Sequence, residues 1–452
     1  MSARSILAGI LLIFVAIPAR TLRPAQSNSD LPLLVYTVAH SYDPLAWIHG
    51  KDRFSLDATI FLRDQKGSHK LVPSFAETAD ASVSFDGGRI VFAGKARVSD
   101  HWQIWEISLD SDTPRRITAG ADDCIRPFYL PGERMVYARR SGGRFVIEAL
   151  DLAGGKPLPL TYSWGNVLPT DVLRDGRILF EASFPLGADS SPELYTVYSD
   201  GSGVESYRCD HGPARYSGKQ TSSGDIVFAA THGLARFTSA RAQEIRMAAP
   251  GGEYSGDVAE MPSGEWLVSW RPNGKAPFEL VRWAPGSANL RPLVAEPGQD
   301  VVEPVLIAPR SVPKRHPSGL HDWPNANLLC LNAYTSKYVF ASGSIRSVRM
   351  YALDAAGHAT ILGTAPVERD GSFFLQVPTE QPIRLEVLDA SGKTLRRESG
   401  AFWMRRGEQR VCVGCHAGPE TSPENAVPMI LLKSTTPADL THPAVANAAG
   451  GH

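Results

Sequence analysis

Five hairpins marked by glycine recur through the first two thirds of the chain, and their spacing constrains the fold more than any other feature. Asp86-Gly87-Gly88 precedes Arg89-Ile90-Val91-Phe92, Pro131-Gly132-Glu133 precedes Arg134-Met135-Val136-Tyr137, and Asp175-Gly176 precedes Arg177-Ile178-Leu179-Phe180. Ser223-Gly224-Asp225 then leads into Ile226-Val227-Phe228, and Ser263-Gly264-Glu265 into Trp266-Leu267-Val268. Aligning Gly88, Gly132, Gly176, Gly224 and Gly264 gives intervals of 44, 44, 48 and 40 residues, the length of a propeller blade. Glycine suits the left-handed backbone of such a hairpin, and the apolar run after it suits a strand covered on both faces.

A second strand follows each run, as in Gln103-Ile104-Trp105-Glu106-Ile107-Ser108-Leu109, and ends at a turn on Asp110, Asp151 or Asp200. A short outer strand such as Arg116-Ile117-Thr118 completes four per repeat. Leu33 to Val72 holds three strands without the leading hairpin, and Val301-Val302-Glu303-Pro304-Val305-Leu306 is a lone strand at the far end. Joined, they make a sixth blade from both ends and remove the open edges of the array. The expectation is an all-β chain whose residues 28–310 form a six-bladed β-propeller. With 40 Gly and 34 Pro, the composition also favours turn-rich β structure over helices. This stretch resembles the TolB-like members of the WD40-type propellers, whose blades carry a related Pro-Asp-Gly hairpin. The repeat is specific for fold and not for function.

Residues 311–343 read as a linker rich in Pro, His and Asn, with a strand-like Leu328-Leu329-Cys330-Leu331 towards its end. From 344 to 410 the period is two again, and a small β-sandwich is expected. Its strands are Ser347-Val348-Arg349-Met350-Tyr351-Ala352-Leu353, Thr360-Ile361-Leu362-Gly363, Ser372-Phe373-Phe374-Leu375-Gln376-Val377 and Ile383-Arg384-Leu385-Glu386-Val387-Leu388. Phe402-Trp403-Met404-Arg405-Arg406 reads as the last strand, and Gly407 to Arg410 feeds into residues 411–452, a haem-attachment segment and tail.

That segment opens with Cys412-Val413-Gly414-Cys415-His416, the C-x-x-C-H pattern of c-type haem attachment. Two intervening residues let one turn of backbone present both sulfurs to one porphyrin edge, and the next residue then reaches the iron. Cys412, Cys415 and His416 are therefore the candidate cofactor ligands, for one covalent haem c with His416 proximal on the metal. A redox dithiol and half of a zinc site are the competing readings. The first wants a βαβ surrounding, whereas Gly418-Pro419 follows almost at once; the second wants a second ligand pair. The other cysteines, Cys124, Cys209 and Cys330, are widely separated and read as small buried side chains, with pairing of two of them as the alternative.

The sixth iron position has several candidates. Met429, thirteen residues past His416, is either a thioether ligand or ordinary packing beside Ile430-Leu431-Leu432; His442 is next, and Met404, His316 and His321 are outsiders. Without any of them the iron is five-coordinate and open to small molecules. Arg405, Arg406 and Arg410 either pair with haem propionates or form a solvated strand face, and Phe402 and Trp403 either wall a porphyrin or fill the sandwich.

Taken together, the propeller, Val367-Glu368-Arg369-Asp370-Gly371-Ser372-Phe373, and Arg406-Gly407-Glu408-Gln409-Arg410 running into C-x-x-C-H resemble the hydrazine synthase alpha subunit, in particular its haem-bearing middle domain. The resemblance implies a c-type haem at Cys412, Cys415 and His416. It breaks at two places. The chain holds no second C-x-x-C-H in the 36 residues after His416, and Ala417-Gly418-Pro419-Glu420 offers no tyrosine where that enzyme's iron takes one. Hydrazine synthesis itself is therefore not expected of this chain.

Residues 1–27 read as an export signal: Arg4, an apolar run from Ile6 to Ile17, and Ala25-Gln26-Ser27 as a cleavage site, with a retained anchor as the other reading. Periplasmic or secreted localisation suits covalent haem attachment. A net charge of -1 gives no reason to expect nucleic acid as a partner, and no later stretch is long and apolar enough for a transmembrane helix. No Gly-x-Ser-x-Gly, phosphate loop or His-Glu-x-x-His is present. Three functions remain: an electron-transfer protein that docks a redox partner, a haem-dependent redox enzyme acting on a small nitrogen or oxygen species, or a propeller scaffold.

Overall fold

The computed structural model describes residues 33–443 apart from 112, 163–164, 185–190, 209–213, 399, 416–421 and 423–424. Residues 1–27, read in the sequence as an export signal, and Cys209 and His416 thus lie outside the described residues. The described chain is almost wholly β, with a 3-10 turn at Ala46–His49 and one short α-helix, Met429–Lys433.

Residues from Leu34 to Leu306 form a β-propeller of antiparallel sheets, six with four strands each among the described residues. Asp300–Leu306 pairs with Leu34–Ala39, with Leu34 opposite Leu306 and Val38 opposite Val301, so the first sheet is built from both ends of the stretch. The innermost strands, from Glu77–Val83 through Cys124–Leu130, Asn166–Val172, Arg215–Gln220 and Glu253–Glu260 to Asp300–Leu306, each touch the next and the last touches the first. Apolar side chains fill the wedges between sheets, as where Ile90, Phe92 and Ile107 meet Val35 and Ile60.

The hairpin glycines behave as their spacing demands, with one shift. The amide of Gly176 donates to Leu173 O (2.8 Å), that of Gly224 to Thr221 O (3.0 Å) and that of Gly264 to Met261 O (2.9 Å). Their φ values of 90°, 97° and 79° complete a type I turn followed by a left-handed residue. In the first hairpin the left-handed position is Gly87 (φ 78°), one residue before the glycine that the sequence alignment selects.

Towards the propeller axis most inner strands carry a bulge, which adds a residue and frees an amide from the ladder. Asp80, Arg126, Ser217 and Glu303 all adopt left-handed backbone there, at φ of 60°, 53°, 52° and 56°. Carboxylates from neighbouring positions recapture three of these amides: Asp80 N donates to Glu303 Oε2 (3.0 Å), Arg126 N to Asp80 Oδ2 (3.1 Å) and Ser217 N to Glu181 Oε2 (2.8 Å). Arg53 ties the ring together by pairing with Asp80 and, at 2.8 Å, with Glu303.

Burial raises the Glu303 carboxyl, but the guanidinium groups of Arg53 and Arg126 outweigh it and hold the group at about 2. Asp80 goes the other way: burial, opposed by Arg53 and reinforced by the Glu303 charge, lifts it to about 6. Burial likewise lifts Glu181 to about 7.

Two further four-stranded sheets enclose the C-terminal core. One runs in the order Gln409–Cys412, Ala326–Cys330, Phe373–Val377, Ala438–Asp439; the other is Ala359–Pro366, Ser347–Leu353, Ile383–Leu388, Thr394–Arg397. Leu328, Cys330, Phe373 and Leu375 of the first meet Val348, Met350, Ile383 and Val387 of the second. The segment Ala326–Cys330, read in sequence as the end of a linker, is thus an interior strand of this sandwich. Phe402–Arg406, read as its last strand, makes only a bridge from Phe402 to Ile383, and the strand is Gln409–Cys412 instead.

Trp403 joins the two parts. It is fully buried and packs in one cluster with Phe180, Tyr195 and Val197 of the propeller and Leu353 of the sandwich. Arg405 pairs with Tyr162 and donates to Pro159 O (3.3 Å), while Gly203 N donates to Glu408 Oε1 (3.1 Å). These contacts hold the strand Gln409–Cys412 against a rigid base.

Candidate functional site

Gln409–Cys412 is an edge strand, paired in parallel with Ala326–Cys330 so that Gln409 faces Asn327 and Cys412 faces Cys330. Alternation along Arg410-Val411-Cys412 leaves Val411 58% exposed while Cys412 packs, half-buried, on the sandwich core. The backbone continues to bond past the strand end: Leu331 N donates to Cys412 O (2.9 Å) and Asn332 N to Val413 O (3.3 Å). Gly414 sits against this loop so closely that a Cβ there would lie 2.0 Å from Thr335 O and 2.7 Å from Asn332 O. The glycine between the two cysteines is therefore fixed by packing, and it lets Cys415 turn back onto the core beside Cys412.

A third thiol completes this corner. Cys330 is 1% exposed, lies opposite Cys412 in the ladder, and belongs to the core cluster on which Cys412 and Cys415 both pack. The neighbouring Cys415 thiol first, and burial second, push the Cys330 thiol far above its ordinary range. Burial, against the pull of Arg410, raises Cys412 to about 11. All three sulfurs are free thiols. Nothing in the sequence linked Cys330 to this site, because 82 residues separate it from Cys412 and a parallel pairing leaves no local signature. Cys124, also free, is buried in the propeller, with its thiol raised by burial to about 12.

His416, the expected proximal ligand, lies outside the described residues. The candidates for the opposite face separate by topology. Met429 opens the helix Met429–Lys433, whose amides are pinned by Asp370 Oδ2 to Met429 N (2.7 Å) and Ser372 Oγ to Ile430 N (3.0 Å). The same loop bonds the motif's neighbour, with Ala333 N donating to Gly371 O (2.9 Å), so Met429 shares the Cys412 end of the sandwich. His442 does not. It is exposed and follows Ala438–Asp439, which pairs on the opposite edge of the sheet and runs away from the Cys412 end. Three strand spacings alone put it about 14 Å to the side. Met404 is fully buried in the sandwich core, and His316 is stacked on Tyr198 of the propeller at 3.8 Å. His321 stacks on Trp323 at 5.0 Å and lies against Gly407, at the other end of the motif strand.

The arginines separate in the same way. Arg405 is committed to Tyr162, Pro159 and Glu380, and Arg410 to Glu408 Oε1 at 2.7 Å, whereas Arg406 is exposed. Trp403 fills the joint between the sandwich and the propeller, and Phe402 lies under the Arg410 guanidinium at 5.5 Å. Among the described residues no group of three or more His, Cys, Asp or Glu side chains is arranged to hold a metal ion. Cys412 and Cys415, two half-buried free thiols at the end of an edge strand, are a donor set whose chemistry fits thioether attachment of a porphyrin.

Residues 334–417 match the family described as "Hydrazine synthase alpha subunit middle domain", and this stretch contains both thiols of the motif. Hydrazine synthase from Kuenenia stuttgartiensis has a TM-score of 0.76 with this chain at 16% identity, over 90% of this chain and 72% of that one. At that identity the likeness is one of fold. TolB from Acinetobacter baumannii gives 0.40 at 15% identity, over 63% of this chain and 67% of that one. A search of curated protein sequences found no match. No helix among the described residues is long and apolar enough to cross a membrane.

Proposed function

We propose that this chain is an exported redox protein that carries one haem c on Cys412 and Cys415, with His416 on the iron, and acts on a small nitrogen or oxygen species. The observation that carries the reading is the match of residues 334–417 to the hydrazine synthase alpha subunit middle domain, across the stretch that holds both thiols. In its place the haem supplies an iron centre that changes oxidation state by one electron.

The chain's own residues do the rest. Cys412 and Cys415 hold the group at the edge of the sandwich, Gly414 fixes their separation, and the exposed Arg406 offers a cation for the propionates. The propeller, six-bladed with one blade for each four-stranded sheet, presents its joint with the sandwich next to the motif. Trp403 and Arg405 keep that joint rigid, which lets a redox partner dock without disturbing the site. Export to the periplasm, directed by residues 1–27, supplies the compartment in which such attachment occurs.

A second reading, simple electron transfer, is favoured by one feature: Met429 lies at the same end of the sandwich as Cys412. Absorption and magnetic spectra of the haem-loaded protein separate the two. High-spin, five-coordinate iron that binds cyanide or nitric oxide readily supports the enzyme. Low-spin iron that becomes high-spin in Met429→Ala supports electron transfer and removes the proposed reaction.

A further inference from the structure

We infer that Cys330 is a redox partner of the haem motif, and that in the haem-free protein it forms a reversible disulfide with Cys415. Its consequence for haem loading rests on the function proposed above; the bond itself does not. Three thiols share one corner of the sandwich, and only two are needed to hold a porphyrin. Cys330 faces Cys412 in the ladder, and Cys415 packs on the same core cluster that holds Cys330. Its carbonyl-side neighbours clamp the motif, through Leu331 N to Cys412 O (2.9 Å) and Asn332 N to Val413 O (3.3 Å), so the sulfurs are held together by backbone.

Accessibility sets the order of events. Cys330 is 1% exposed and Cys415 is half-buried, so an external disulfide meets Cys415 first. The Cys415 sulfur, giving up its proton, attacks one sulfur of the external disulfide and releases the other half as a thiol. Cys330 then gives up its proton, attacks the Cys415 sulfur and releases the second half. One S–S bond forms in the protein and one breaks in the oxidant; two electrons and two protons pass to the oxidant, which leaves as two thiols. An exported chain meets disulfides of this class in an oxidising compartment. While the bond exists, Cys415 has no thiol with which to form a thioether. Reduction is then a prerequisite for haem attachment, and Cys412, left unpaired, stays a thiol.

The test uses the full chain purified without haem. It is equilibrated with oxidised glutathione, alkylated with N-ethylmaleimide, digested without reductant and mapped by mass spectrometry. The expected result is a linked peptide joining Cys330 to Cys415, with Cys412 alkylated and alkylation lost at Cys415. Reduction before alkylation restores labelling at Cys415. The link persists in Cys412→Ser and vanishes in Cys415→Ser. Alkylation of both Cys330 and Cys415 after oxidation overturns the inference, as does a link confined to Cys412 and Cys415 or one that survives in Cys415→Ser. A protein that shows the link yet never takes up haem contradicts the proposed function and leaves this inference standing; one that loads haem and never shows the link does the reverse.

Discussion

Glu303→Gln removes one negative charge from the propeller axis while keeping the shape of the side chain. Glu303 Oε1 takes 2.8 Å from Arg53 Nη1 and 3.3 Å from Arg126 Nη1, and Oε2 takes 3.1 Å from Thr37 Oγ1 and 3.0 Å from Asp80 N. A carboxyl at about 2 in the folded chain, against 4.5 when unfolded, contributes about 3 kcal/mol at neutral pH. Breaking a buried ion pair by removing one partner costs about 3–5 kcal/mol, so two separate routes agree. For a cooperative unit the size of the propeller, 3 kcal/mol lowers Tm by about 5 °C. The sign with pH follows from the depressed value. The contribution is complete above the unfolded value and is lost as pH falls through the folded one. Differential scanning calorimetry from pH 7 down to pH 2 should therefore show the gap between wild type and variant closing with acid. A variant within about 1 °C of wild type at pH 7, or a gap that persists undiminished at pH 2, refutes the account of the axial cluster.

The remaining predictions concern neighbouring features. Glu181 is raised to about 7, so its charged form burdens the fold above that pH and the burden lifts as pH falls towards 4.5. Glu181→Gln, whose amide oxygen still accepts from Ser217 N, should raise stability at pH 8 by up to about 3 kcal/mol and change little at pH 5, measured by urea unfolding. Trp403→Ala opens the joint between propeller and sandwich and should cost about 3–5 kcal/mol, seen as a lower or split calorimetric transition. Gly414→Ala forces a Cβ to within 2.0 Å of Thr335 O and should abolish haem attachment while leaving the propeller transition in place, read by intact mass and calorimetry together.

What the sequence reveals and what it hides divide along the range of the contacts. Hairpin chemistry is local, so a glycine every forty-odd residues was enough to reveal the sheets, and the doublet Gly87-Gly88 misled by one position because either residue tolerates φ > 0. Closure between Leu34 and Leu306 was legible because a strand was missing at one end and spare at the other. The parallel pairing of Ala326–Cys330 with Gln409–Cys412 was not, since no turn joins them, and with it went the role of Cys330. The axial cluster was hidden for another reason. Glu303 sits in a run that reads as ordinary strand, Asp80 and Arg126 lie in stretches without a distinguishing pattern, and the left-handed backbone at all three marks the bulges. At the motif the spacing of Cys412 and Cys415 is local, and both pack on the sandwich core, while the separation of Met429 from His442 required the strand order of the sandwich.

The central claim is that two sulfurs of this chain bond one porphyrin, and intact mass spectrometry tests it most directly. The full chain is exported from a host with haem-maturation machinery and weighed under denaturing conditions, with Cys412→Ser and Cys415→Ser alongside. The account predicts a wild-type mass equal to the mature polypeptide plus one haem, retained after denaturation and diminished in both variants. A mass equal to the polypeptide alone contradicts it.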